Sequence, residues 1–345
     1  MLSHGVFAIR DSGIPANTQD YTTLILIHGF AWHSGGFVRL LPIAAAANAR
    51  VVLLNRRDYP GSARIPDKER RDLEALPSMP AHAARETLRD HMRIRARELY
   101  DFLIDFVKKE PVTVKGGLVL AGWSYGCNFV TALLAESPNF PKTPDNARLV
   151  DRIKRTVIYD PPYHALGYKS PTNWYNPIFD SSIAPDERPK RFLTWVSGYY
   201  DHGETVFLLE QRTASADPRP TVLAMSPEDI EYGMDIRPTL PGGSDSIMLN
   251  EGIKHGLFAT LREEAIYIGK YPRRGREWND IGLKYLWCDH SIWEMPYGAL
   301  TFQGEIDDAK KMGRAMREVS VVRLKGANHF YHWDQPERAL RAIIS

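Results

Sequence analysis

The 345-residue chain is poor in cysteine, with only Cys127 and Cys288 and no C-x-x-C pair. That excludes a disulfide framework and a thiolate metal knuckle. It also lacks an excess of either charge. Its 44 Lys and Arg stand against 42 Asp and Glu, a net charge of +2, so no broad field is set up for nucleic-acid phosphates. The basic clusters Arg89 to Arg97 and Arg273-Arg274 read as solvated helix and loop faces. No apolar run approaches the ~20 residues of a membrane span. The start, MLSHGVFAIRDSG, lacks the basic-then-apolar order of a signal peptide, and a cytoplasmic protein is the expectation. There is no internal repeat, no low-complexity tract and no H-E-x-x-H; no cofactor or metal is expected.

What remains is an ordinary globular composition, long enough to bury a large core. TLILIHGF, Thr23 to Phe30, is continuously apolar, as suits a strand buried on both faces of a parallel sheet. FVRLLPIAAAANAR reads as a helix, RVVLLNRRD as a strand, and ARETLRDHMRIRARELYDFLIDFVKK as a long amphipathic helix. The strand LVLAGWS, a helix from about Tyr125 to Ser137 and the strand RTVIYDPP follow. This alternation predicts an α/β fold with a doubly wound, mostly parallel sheet. Sites in such sheets form at the carboxyl ends of strands, where His28, Ser124 and Asp160 all fall. After Pro162 the rhythm breaks. Residues 163–279 read as a mostly helical cap inserted before the penultimate strand. They divide a core whose parts are 1–162 and 280–345. The sheet resumes at LKYLWCD, Leu283 to Asp289, followed by a helix at about Asp307 to Arg317. VSVVRLKGANHF is the last strand and its loop. QPERALRAII is the closing helix, with Asp334 as N-cap and Pro336 near its first turn.

One stretch carries chemistry in its spacing. In Gly122-Trp123-Ser124-Tyr125-Gly126 a lone hydroxyl sits between two glycines where a strand gives way to a helix. A very tight turn there forces its central residue into strained backbone space and demands small residues two positions either side. The strain holds the hydroxyl above the sheet edge, and the following N–H groups face the same spot. That is the arrangement of a nucleophile elbow.

With this stretch the chain resembles the α/β-hydrolase family. The resemblance is carried, in order, by LILIHGF, RRDYPGSA, GWSYG and GANHF. It implies that the His28-Gly29 loop supplies an oxyanion-hole N–H and that the late Asn-His-Phe carries a catalytic histidine. The general shape is also similar to soluble epoxide hydrolases, whose members often begin near DSGIP. Those enzymes carry Asp at the elbow, and Ser124 argues against epoxide opening. Ser124 is then the nucleophile and His329 its general base, in the Ser, acid, His order of this fold. The oxyanion hole falls to the main-chain N–H groups of Phe30 and Tyr125. His332 reads as structural or surface, and His28 as a residue that holds its loop by hydrogen bonding. The acid stays open. The family's usual position, after the LKYLWCD strand, holds Ser291. Asp160, Glu294 and Asp289 are the alternatives.

The cap is rich in aromatic residues with few free charges, which suits an apolar or aromatic small molecule. The expected function is a serine hydrolase cleaving a carboxylic ester or lactone. The expected partner is that substrate, with no nucleic acid and no membrane span. Oligomeric state is open. Two rivals keep the fold. One is acyl transfer, C–C cleavage or lyase chemistry, and the other is a ligand-binding receptor or scaffold.

Overall fold

A computed structural model describes residues 1–16, 18–268 and 277–345. Arg273-Arg274 lie outside the described residues. Eight strands form one sheet: β1 (Leu2–His4), β2 (Phe7–Asp11), β3 (Thr22–Ile27), β4 (Ala49–Asn55), β5 (Leu118–Trp123), β6 (Ile153–Tyr159), β7 (Gly282–Cys288) and β8 (Val319–Leu324). Their spatial order is β1-β2-β4-β3-β5-β6-β7-β8. Only β2 runs against its neighbours; β4 to β8 pair in parallel.

The continuous apolarity of the central strands has the cause the sequence implies: both faces are covered. Side chains alternate between the faces. Ile25, Ile27, Val52, Leu54, Leu118 and Leu120 join one buried cluster, while Leu24, Leu26, Val51, Leu53, Val119 and Ala121 join the other. The helices that cover them are α1 (Asp67–Ala75), α2 (Ala81–Lys109), α3 (Cys127–Glu136), α4 (Pro144–Arg152), α5 (Arg188–Val196), α6 (Pro227–Gly233), α7 (Ser244–Lys254), α8 (Leu257–Ile266), α9 (Glu294–Lys311), α10 (Tyr331–Asp334) and α11 (Pro336–Ile344).

Local structure departs from the sequence reading in four places. FVRLLPIAAAANAR is not a regular helix but two short 3₁₀ segments, Ser34–Leu40 and Ala45–Ala47. Pro42 lacks the N–H that would continue the ladder across the junction. The helix expected near Asp307 to Arg317 starts earlier, at Glu294, and ends at Lys311. Pro296 is harmless there because first-turn N–H groups need no partner within the helix. The N-terminal hairpin β1-β2 extends the sheet beyond the first strand read from the sequence. Asp334 does not cap α11: Gln335 is the N-cap, and the Asp334 carboxylate accepts from Tyr199 Oη at 2.6 Å and Thr221 Oγ1 at 2.5 Å.

Between Pro162 and β7, short helices and 3₁₀ turns alternate with long irregular connections. Parts of this segment lie on the strand-end loops. His33 N–H donates to Gly233 O, Asp235 N–H to Ala31 O, and Asn328 Nδ2 to Ser197 O. Its last helix behaves differently. In α8, Phe258, Leu261, Ala265 and Ile266 are buried in the same cluster as α2, α3 and the sheet. Replacing Phe258 by Ala should therefore destabilise the whole domain by about 4 kcal/mol. Urea unfolding followed by circular dichroism should show one transition with a lower midpoint and an unchanged slope. A separate early transition would count against α8 as part of the main core.

Candidate active site

Ser124 follows directly on β5 with φ +54°, in the left-handed region that a serine rarely occupies. Both flanking glycines have a steric reason. A Cβ on Gly122 would lie 2.4 Å from Gly126 O, and one on Gly126 would lie 2.4 Å from His28 O. The turn thus presses against the end of β3. Gly29 is as constrained, since its Cβ would sit 2.8 Å from Ser124 Cβ. The His28-Gly29 loop and the Ser124 turn are in direct contact. Ser124 Oγ makes no hydrogen bond among the described residues.

His329 lies in the loop after β8, buried, with its ring stacked on Trp123 at 4.4 Å between centroids. Trp123 Nε1 donates to His329 O at 3.0 Å. The residue before Ser124 therefore fixes both ring and backbone of the histidine. Asn328 anchors the same loop by donating to Ser197 O and to Thr221 Oγ1, each at 2.8 Å. His329 Nδ1 lies 2.7 Å from Asp160 Oδ2, and Nε2 has no hydrogen-bond partner among the described residues.

Of the three carboxylates left open by the sequence, only Asp160 meets His329. It is fully buried at the end of β6, with φ +50°. Cys288 N–H donates to its Oδ1 at 2.8 Å, and Ser291 Oγ donates to Oδ2 at 2.6 Å. Ser291, at the position where the family usually places its acid, thus supports a carboxylate offered by the neighbouring strand. Glu294 is buried elsewhere: Asn176 Nδ2 donates to its Oε1 at 3.1 Å and His164 Nε2 lies 3.4 Å from Oε2. Asp289 accepts from Arg323 Nε at 3.0 Å and from Gly326 N–H at 2.8 Å.

The other histidines of the region have structural partners. His332 is buried and stacked on Phe37 at 4.0 Å. Burial, reinforced by His329, holds its pKa well below the ordinary imidazole value. His28 Nε2 accepts from Arg56 N–H at 3.0 Å, so its Nδ1 carries the proton and donates to Gly29 O at 2.9 Å. Burial, then Arg56, keeps His28 neutral. Cys127 Sγ donates to Gly122 O, and burial pushes its thiol pKa well up, so it is no thiolate.

The loop carrying Phe30 rests on residues that the sequence reading passed over. The Phe30 N–H is engaged by no backbone acceptor among the described residues, and Tyr125 N–H belongs to a first turn, which offers none. Beneath them lies the buried Arg56, at the end of β4. It donates to Gly29 O at 2.7 Å and forms a two-pronged pair with Asp245 of α7 at 2.7 and 2.6 Å. Burial opposes the Arg56 charge, but Asp245 together with Tyr59 and Tyr125 outweighs it, and the guanidinium pKa stands above its ordinary value. The stretch RRDYPGSA offered a hint in its first arginine, which follows directly on the buried strand β4. Nothing in sequence spacing singles out Asp245.

No curated protein matches the chain. Among solved structures, a variant of an epoxide hydrolase from Vigna radiata superposes with a TM-score of 0.50 at 14% identity, over 98% of this chain and 93% of that one. A monoacylglycerol lipase from Paleococcus ferrophilus has a TM-score of 0.47 at 16% identity, over 98% and 96%. At 14% identity the first of these likenesses speaks for the fold alone. The family comparison goes further, because the model described as the alpha/beta hydrolase family matches residues 24–343. That span holds the sheet from β3 onward, the Ser124 turn and the His329 loop, and the chain belongs to the alpha/beta hydrolase family.

Proposed function

We propose that the protein is a serine hydrolase that cleaves a carboxylic ester or lactone of a fairly apolar small molecule. The observation that carries this reading is the pairing of His329 Nδ1 with the buried Asp160 carboxylate, on a histidine stacked against Trp123, the residue before a serine held at φ +54°. With Nδ1 committed to Asp160, Nε2 is the atom left to take a proton. Ser124 attacks the substrate carbonyl while His329 takes its proton. Asp160 holds the tautomer and stabilises the imidazolium. The Phe30 and Tyr125 N–H groups receive the developing oxyanion. His329 returns the proton to the leaving alcohol, and water clears the acyl group from Ser124 by the same steps in reverse. No hydrogen bond joins Ser124 Oγ and His329 Nε2 in this structure; such a catalytic bond often tightens only as substrate aligns the pair.

The aromatic surroundings support an apolar substrate. Trp32 and Phe330 pack edge to face at 5.1 Å, and Phe30 and Tyr125 at 6.0 Å. We propose that the inserted segment up to α8, residues 163–256, forms a cap that shelters this aromatic ground from water, while α8 belongs to the main core. Epoxide opening at the same turn needs a carboxylate that can form an ester with the substrate. Ser124 offers none.

Ser124→Ala should fold with an unchanged melting temperature and lose nearly all turnover of an activated aryl ester. Wild-type kcat/KM in that variant would sink the proposal. A fluorophosphonate should label Ser124, and mass spectrometry of the labelled peptide checks it.

Asp160→Asn keeps the side-chain shape but favours the wrong imidazole tautomer, and kcat should fall by ~10⁴-fold. Glu294→Gln should cost far less, because its partners are Asn176 and His164. Both are compared at matched folding by a melting scan. A folded Asp160→Asn at near wild-type rate, with Glu294→Gln inactive, would reverse the assignment.

A further inference from the structure

The peptide between Gly29 and Phe30 carries the N–H assigned to the oxyanion. In a trans peptide the carbonyl and the N–H point to opposite sides. Whatever pins Gly29 O therefore aims the Phe30 N–H. Two donors pin it, Arg56 Nη2 at 2.7 Å and His28 Nδ1 at 2.9 Å. One of them is charged, and a charge-assisted bond to the carbonyl also polarises the amide, strengthening its N–H as a donor.

The far side of Phe30 is held by the same carboxylate. Asp245 Oδ2 accepts from Tyr59 Oη at 2.7 Å, and Tyr59 Oη in turn accepts from Ala31 N–H at 3.1 Å. Asp245 thus controls Gly29 O through Arg56, and Ala31 N–H through Tyr59. Phe30 lies between these two arms, and Ala31 is held at φ +65°. The Arg56 guanidinium also packs on the side chain of the residue that supplies the second donor, 5.3 Å from the centre of the Tyr125 ring. Asp245 sits in the first turn of α7, where the helix N-terminus favours an anion. The adjacent Ser244 Oγ donates to Asp58 Oδ2 at 2.7 Å, docking the same turn on the loop after β4.

We propose that Arg56 and Asp245 are positioning residues that clamp the oxyanion loop on both sides of Phe30. The docking of α7, from the segment inserted between β6 and β7, thereby sets the strength of the oxyanion hole. This rests on the serine-hydrolase reading above. A buried ion pair is a poor source of stability and is often replaceable by apolar residues without loss. Its retention beneath one loop of the site fits a positioning role.

The test replaces the pair as a unit, Arg56→Met with Asp245→Leu, so that no buried charge is left alone. The wild type and the variant are compared on a p-nitrophenyl ester, by an arylboronic acid that forms a tetrahedral adduct on a serine, and by amide hydrogen exchange across residues 28–32. The expected result is a folded variant with KM little changed and kcat reduced about 10- to 100-fold, a part of what losing a whole oxyanion donor costs. Boronate affinity should fall in parallel, and exchange at Phe30 and Ala31 should quicken. A purely structural pair would lower the melting temperature without splitting kcat from KM. A folded variant with kcat, boronate affinity and exchange all within about twofold of wild type overturns the proposal. Should the double variant not fold, Tyr59→Phe removes only the Ala31 arm. It should still quicken exchange at Ala31 and lower kcat severalfold; no change in either overturns the clamp. If the wild type itself neither turns over the ester nor accepts the boronate, the hydrolase reading fails. Exchange then decides the clamp by itself, quickened in the variant if the clamp exists and unchanged if it does not.

Discussion

A single carboxylate, that of Asp160, holds the candidate site together. It is buried completely and takes three donors, from Cys288 N–H, Ser291 Oγ and His329 Nδ1. A buried carboxylate without donors would be severely penalised, and each of these bonds offsets part of that cost. The donors come from the end of β7, the loop after it and the loop after β8. Satisfying one charge thus draws three strand ends into one place. The backbone takes part too, with Asp160 at φ +50° and its own N–H bonded to Leu286 O at 2.7 Å.

Backbone strain at the site follows the same geography. Ala31, Ser124 and Asp160 all have positive φ without being glycine, and all three stand just past the carboxyl ends of adjacent or nearby strands. Each such residue costs on the order of 1–3 kcal/mol and persists only where its surroundings over-determine it. The surroundings are visible here. Ser124 is locked by two glycines that admit no Cβ, Ala31 by Tyr59 and Asp235, and Asp160 by its three donors. The core beneath supplies the rigidity. The central strands are packed on both faces, and Trp123 links β5 to the His329 loop through its ring and its indole N–H.

Much of this architecture is legible along the chain because it is local. Parallel strands buried on both faces read as continuous apolar runs, and a long helix such as α2 carries its own period. The steric demand of the Ser124 turn is written within five residues. Legibility fails where neighbours in space outweigh neighbours in sequence. The segment after β3 has helical composition, yet Pro42 divides it into 3₁₀ pieces. Asp334 looks like a cap beside Pro336, but Tyr199 and Thr221, far away in the chain, claim its carboxylate. α8 lies within the inserted segment by position, but it packs with α3 on the sheet.

The sequence by itself determined the alternating α/β pattern, the turn that must hold Ser124, the late His329 loop and the strand ends as the place where they meet. The pattern, the turn and the strand ends are read from periodicity and from steric rules that act within a few residues; the His329 loop is read from the resemblance of GANHF to the family's late histidine stretch. It could not choose among Asp160, Glu294 and Asp289, nor indicate that Arg56 and Asp245 would be partners. Those matters belong to strand order and loop docking. Asp160 and His329 are 169 residues apart, and they meet because β6, β7 and β8 lie side by side in parallel. Arg56 and Asp245, 189 residues apart, meet because α7 docks on the loop after β4. A contact of that range leaves no period or spacing in the chain. Only the folded sheet brings its two ends within reach of a hydrogen bond.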